Sequence, residues 1–96
     1  MEQREKLLYQ NNMNKEILVV DDNSDIRLLI SSILKDRGFS VREAANFDQA
    51  KNEIDKKIPN VAVIDVKLDK GDNDGIELLV YLKKKDEDVP VIMISG

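Results

Sequence analysis

The stretch "ILVVDDNSD", residues 17–25, carries the strongest signal of architecture in the chain. Four apolar residues run directly into Asp21 and Asp22. An unbroken apolar run of this length fits a strand buried on both faces, as in a parallel sheet covered by helices. Two adjacent carboxylates at its end repel each other and resist desolvation, so their position calls for a reason.

Beyond this stretch the chain alternates strand and helix. "NSDIRLLISSILKDRG" places Ile26, Leu29, Ile30, Ile33 and Leu34 at the i, i+3, i+4, i+7, i+8 spacing of an amphipathic helix. These apolar residues read as core. Asn23 or Ser24 is the expected cap and Gly38 the expected stop. The mid-helix Ser31 and Ser32 read as exposed or bonded back to the helix. "FSVREA" is a short strand around Val41. "NFDQAKNEIDKKI" is a helix with Phe47, Ala50 and Ile54 inward and Pro59 beyond its end. "VAVID" is a second buried strand finishing on a carboxylate, Asp65. "VKLDKGDNDG" is an Asp- and Gly-rich loop. "IELLVYLKKKD" is a helix with Ile76, Leu79 and Leu82 on one side and Lys83, Lys84 and Lys85 solvated. "VPVIMIS" is a fourth strand. Such alternation, with short connections, predicts a parallel sheet with helices on both faces.

Composition narrows the chemistry. The chain has 96 residues, 42% apolar and 35% charged, which is globular rather than disordered in character. A net charge of −4 argues against general binding to nucleic acid or to an anionic membrane. No apolar run approaches the roughly 20 residues of a membrane span. The N-terminus shows no apolar signal-peptide core, so a cytoplasmic location is expected. With no cysteine and no histidine, disulfides, thiolate metal sites, imidazole ligands and histidine-based catalysis are excluded. Carboxylates, hydroxyls, lysines, backbone groups and a hard metal ion remain.

In doubly wound sheets, ligands bind beyond the carboxyl ends of the strands. Asp21, Asp22, Asp65 and Ser95 all fall at such ends. If the first and third strands are neighbours, three carboxylates converge, and a bound cation such as Mg²⁺ relieves their repulsion. The competing possibility is that Asp21 and Asp22 cap the following helix, whose N-terminal dipole favours negative charge. Capping leaves Asp65 unaccounted for.

The ordered set "ILVVDDNSDIRLLISSIL", "VAVIDVKL", "DGIELL" and "VPVIMISG" resembles the receiver domains of two-component response regulators, over about residues 15–96. The resemblance implies a flavodoxin-like (CheY-like) α/β fold, a doubly wound parallel sheet of strand order 2-1-3-4 here and 2-1-3-4-5 in a complete domain. It implies that Asp65 is the phosphoacceptor and Ser95 the hydroxyl that bonds the phosphoryl oxygen. It assigns Mg²⁺ to Asp22 directly, to Asp21 largely through water, to Asp65, and to the backbone carbonyl of Lys67. The implied partner is a sensor histidine kinase. The implied activity is the chain's own phosphoryl transfer and dephosphorylation, not turnover of a separate substrate.

Two departures stand out. The loop from Asp65 to Gly75 lacks the proline common in receivers and carries "KGDN" as extra length. With "VPVIMISG", this is most similar to receivers of NtrX-type regulators within the NtrC-like family, which implies transcription regulation in nitrogen control. A complete receiver also continues past "ISG" with a fourth helix, a fifth strand bearing a lysine, and a fifth helix. The chain therefore reads as a 1–14 extension followed by a partial receiver domain, 15–96. An apolar fourth-strand edge left uncovered predicts a homodimer through that edge. The alternative function is a phosphorylation-independent receiver that serves as a protein-binding scaffold. A phosphatase of the haloacid-dehalogenase type is disfavoured, because such enzymes carry a second Asp where this chain has Lys67.

Overall fold

The structure, a computed structural model, describes residues 15–69 and 71–95. The proposed extension, 1–14, lies outside the described residues. The elements are β1 (Glu16–Val20), α1 (Ser24–Asp36), β2 (Ser40–Ala44), α2 (Phe47–Lys56), β3 (Val61–Asp65), α3 (Asp74–Lys85) and β4 (Val91–Ile94). The strands form one sheet in the order β2-β1-β3-β4, with every pairing parallel. This is the predicted order, and it puts β1 beside β3.

The period-2 alternation of the strands divides the core into two layers. Leu18, Val20, Ala62 and Ile64 pack with Ala50 and Ile54 of α2 and with Leu78 and Leu82 of α3. Ile17, Val19 and Val63 face the other way, where Ile30 and Leu34 of α1 pack on them. At the N-terminal edge of the sheet, Arg42 fastens α2 to β2. Its guanidinium donates to the carbonyls of Glu53 (2.8 Å) and Lys57 (2.6 Å) at the C-terminal end of that helix.

The faces of two helices, α1 and α3, differ from the sequence expectation. Ile26, Leu29 and Ile33 are 39%, 60% and 50% exposed, not core. The inward stripe of α1 is instead Arg27, Ile30, Ser31 and Leu34, rotated by about one position. Ser31, expected at the surface, is fully buried. The cause is coverage. Among the described residues one helix lies on this face of the four-stranded sheet, which leaves part of α1 and of the sheet uncovered. Ile92 of β4, on that same face by register with Val63, is 55% exposed.

On α3, Leu78 and Leu82 are buried and Ile76 faces outward. The lysines of α3 are also not uniformly solvated. Lys83 donates to the carbonyls of Glu87 and Val89, and Lys85 pairs with Asp55 of α2 at 3.1 Å. Both lysines lie in the last turn of α3, where a cation also suits the helix dipole.

Candidate functional site

Register brings the carboxylates together. Val20 stands opposite Ile64, so Asp21 and Asp65 are the next positions on neighbouring parallel strands. Asp21, Asp22 and Asp65 each offer an oxygen, and these oxygens lie within 4.8 Å of one another. Asp21 is buried, Asp65 half-buried and Asp22 exposed. A cleft of about 560 Å³ opens over them, lined also by Lys67, Ile94 and Ser95. All the predicted site residues therefore border one cleft. Lys67 sends its side chain outward, with Nζ 4.0 Å from Asp72, and contributes to the site through its backbone.

Helix capping does not account for the acidic pair. Asn23 is the cap of α1, its side-chain oxygen accepting from the amides of Asp25 (2.9 Å) and Ile26 (3.2 Å). The Asp21 carboxylate accepts from the Asn23 amide at 2.9 Å and so shapes the turn into the cap. Asp22 is left facing the cleft.

The backbone of Asp21 is held on both sides. Its amide donates to the carbonyl of Ala44 on β2 at 3.2 Å. Its carbonyl accepts from the guanidinium of Arg27 at 2.7 Å, and Arg27 in turn pairs with Glu43 at 3.2 Å. Sequence reasoning did not single out Arg27. No sequence signal marked it, because the apolar residues of α1 did not reveal which part of the helix faces inward.

The loop after β3 is tied to the start of α3. The Val66 amide donates to the carbonyl of Ile94 on β4, and the Gly75 amide donates to the Val66 carbonyl, both at 2.9 Å. The Lys67 amide donates to the Asp65 carboxylate at 3.3 Å. The Leu68 amide donates to the carboxylate of Asp74 at 2.6 Å. Asp74 is 3% exposed. The sequence offered "DG" at 74–75 only as part of a pattern, without a job for either residue.

Among the described residues that line the cleft, Asp21, Asp22 and Asp65 face one lysine, Lys67, whose ammonium lies by Asp72. Burial pushes the Asp65 carboxyl above its ordinary range, and the charges of Asp21 and Asp22 add to the rise, while the Lys67 amide opposes it. Three crowded oxygen donors with no sulfur or imidazole suit a hard cation, and one or two carboxylates with waters and phosphate oxygens suit Mg²⁺. The residues present thus fit Mg²⁺, with Asp21, Asp22, Asp65 and the Lys67 carbonyl as the groups that would hold it.

Comparison with known proteins agrees with this geometry. Residues 17–96 match the response regulator receiver domain family. The nitrogen assimilation regulatory protein NtrX of Azorhizobium caulinodans is 44% identical over 84 residues, which are 88% of this chain and 18% of that protein. The receiver domain of NtrX from Brucella abortus superposes with a TM-score of 0.76 at 42% identity, covering 83% of this chain and 67% of that one. The response regulator TrrA of Thermotoga maritima, crystallised in complex with Mg(2+)-BeF, superposes with a TM-score of 0.77 at 27% identity, covering 84% and 69%. Since sequence match, strand order and structural likeness coincide over the same stretch, the chain belongs to the response regulator receiver domain family.

Proposed function

We propose that the chain is a phosphoacceptor module, taking a phosphoryl group from a sensor histidine kinase onto Asp65 with Mg²⁺ held at Asp21, Asp22, Asp65 and the Lys67 carbonyl. The observation that carries this reading is the convergence of three carboxylates within 4.8 Å, in a cleft that Ser95 also lines. In the transfer, a carboxylate oxygen of Asp65 bonds to phosphorus as the phosphorus–nitrogen bond to the kinase imidazole breaks. The electron pair of that bond stays on the nitrogen. Ser95 supplies a hydroxyl donor for a phosphoryl oxygen. Bound Mg²⁺ supplies the positive charge that offsets the carboxylates and the incoming oxygens. The chain itself supplies in-line positioning and the carboxylate nucleophile, which the bound cation would keep ionised.

On this reading the chain acts on itself and is not a turnover enzyme. It serves a larger NtrX-like transcriptional regulator of nitrogen control, located in the cytoplasm. Among the described residues no helix is long and apolar enough to cross a membrane. Recognition of DNA falls to other parts of that regulator, since this segment carries a net charge of −4. Self-association through the β4 edge is part of the same proposal and rests on the exposure of Ile92.

Beryllofluoride, which mimics an acyl phosphate, tests the site directly. With Mg²⁺ present, it is expected to shift the backbone amide resonances of Val66, Lys67 and Ser95 in the wild type and not in Asp65→Ala. Equal spectra with and without beryllofluoride on folded protein would reject the phosphoacceptor reading and leave the scaffold function.

A further inference from the structure

The amide of Leu68 and the carbonyl of Lys67 belong to one peptide unit. That unit is planar and trans, since the described backbone contains no cis bond. In a trans peptide the N–H and C=O point in opposite directions. Whatever fixes the direction of the Leu68 N–H therefore also fixes the direction of the Lys67 C=O. The Leu68 N–H is fixed by the Asp74 carboxylate at 2.6 Å, a charge-assisted bond to a group only 3% exposed.

The preceding peptide is held from both of its faces. The Val66 carbonyl accepts from the Gly75 amide at 2.9 Å, and the Lys67 amide donates to Asp65 at 3.3 Å. The two peptides that flank Lys67 are thus each held by a residue of the first turn of α3. The loop around them is long and rich in Asp and Gly.

We infer that Asp74 is a positioning residue that aims the Lys67 carbonyl. By capturing the Leu68 amide from below the loop, it turns the carbonyl of the same peptide away from the core. The inference rests on the receiver reading for the role of that carbonyl. It goes further in assigning a buried carboxylate, outside the acidic cluster, the task of holding a backbone donor in place. Partners that orient a metal ligand commonly matter for affinity nearly as much as the ligand itself.

The test pairs Mg²⁺ titration calorimetry with amide spectroscopy on the metal-free chain. Asp74→Ala is expected to weaken Mg²⁺ binding about 10- to 100-fold. Asp74→Asn keeps an oxygen acceptor and is expected to stay close to wild type. In metal-free protein the Leu68 amide proton should lie downfield and exchange slowly in wild type and Asp74→Asn, and lose both properties in Asp74→Ala. Arg42→Ala, at the far end of the sheet, should lower stability without changing Mg²⁺ affinity.

A folded Asp74→Ala with wild-type affinity overturns the inference, and so does an Asp74→Asn as weak as Asp74→Ala. Should Asp74→Ala fail to fold, the carbonyl carbon of Lys67 in labelled wild type decides. A Mg²⁺-induced shift there supports the inference, and no shift on a Mg²⁺-bound chain overturns it. Wild type that binds no Mg²⁺ at all rejects the metal reading itself, and the inference with it.

Discussion

A methyl group at position 75 would lie 2.0 Å from the backbone carbonyl oxygen of Asp65, and 2.8 Å from the Cα of Val66. No rotamer change relieves a clash with backbone. Gly75→Ala must therefore push α3 away from the end of β3, the strand end that carries Asp65. Overpacking of this kind costs about 1–3 kcal/mol, and rigid backbone neighbours favour the upper part of that range. Urea denaturation should show the loss for Gly75→Ala. Gly71→Ala, with nothing within 4 Å of its added methyl, should be close to neutral.

Asp65 gives the metal-free chain a pH-dependent weakness. Burial, and then the nearby Asp21 and Asp22, raise its folded pKa above the unfolded value. The folded state therefore binds the proton more tightly, and stability falls as pH rises through this window. Asp65→Asn should be more stable than wild type at pH 7 without Mg²⁺. The gap should close as pH drops below the ordinary aspartate value of about 3.9. Added Mg²⁺ should narrow the gap at pH 7, because it stabilises wild type by binding the folded state. Denaturation midpoints at neutral and acid pH check the sign, and a wider gap at acid pH would reverse it.

Uncovered apolar surface on the α1 face should make the chain associate. Ile26, Leu29, Ile33 and Ile92 are all large and more than a third exposed. Full burial of such a side chain is worth about 1.5–3 kcal/mol. Sedimentation equilibrium should detect dimers or larger species, and Ile92→Lys should shift the population toward monomer by placing a charge on the β4 edge. A wild type that is monomeric and folds cooperatively at the same concentration would refute this surface as a contact.

Tyr81 links α3 to α2 through a hydrogen bond from its hydroxyl to Asp55, which also pairs with Lys85. The bond to Asp55 raises the Tyr81 ionisation above its ordinary value. The bonds from Tyr81 and then Lys85 hold the Asp55 carboxyl below its own. An ultraviolet titration in a Tyr9→Phe background should show late ionisation of Tyr81, moving back toward the ordinary phenol value in Asp55→Asn. Identical titration curves for the two proteins would show that the contact does not persist in solution.

β1, β3 and β4 were legible in the sequence because continuous apolar runs of this length suit buried strands, and the acidic ends because carboxylates recurring at strand ends suit a cation site. The cap of α1 was legible as Asn23 or Ser24 because short polar side chains suit that place, and the structure selects Asn23. The inward face of α1 was not. Ile26, Leu29, Ile30, Ile33 and Leu34 spread over a wide arc of the helix, and apolar content alone does not say which part of an arc meets the sheet. Only the coverage of the sheet by α1 selects Ile30 and Leu34 over Ile26, Leu29 and Ile33. Asp74 was illegible on different grounds. An acidic residue in the first turn of a helix already has a local cause in the helix dipole. Its bond to Leu68 exists only once the loop has folded back over it.

On the proposed reading, phosphoryl acceptance by Asp65 is the step on which the function of the cleft depends. Intact-mass spectrometry of the chain after incubation with acetyl phosphate and Mg²⁺ reads that step without an intermediary. One hydroxylamine-labile phosphoryl adduct is expected in wild type, absent in Asp65→Ala and absent when Mg²⁺ is chelated. A folded, Mg²⁺-binding wild type that gains no adduct, or an adduct that survives in Asp65→Ala, would show that Asp65 is not the phosphoacceptor.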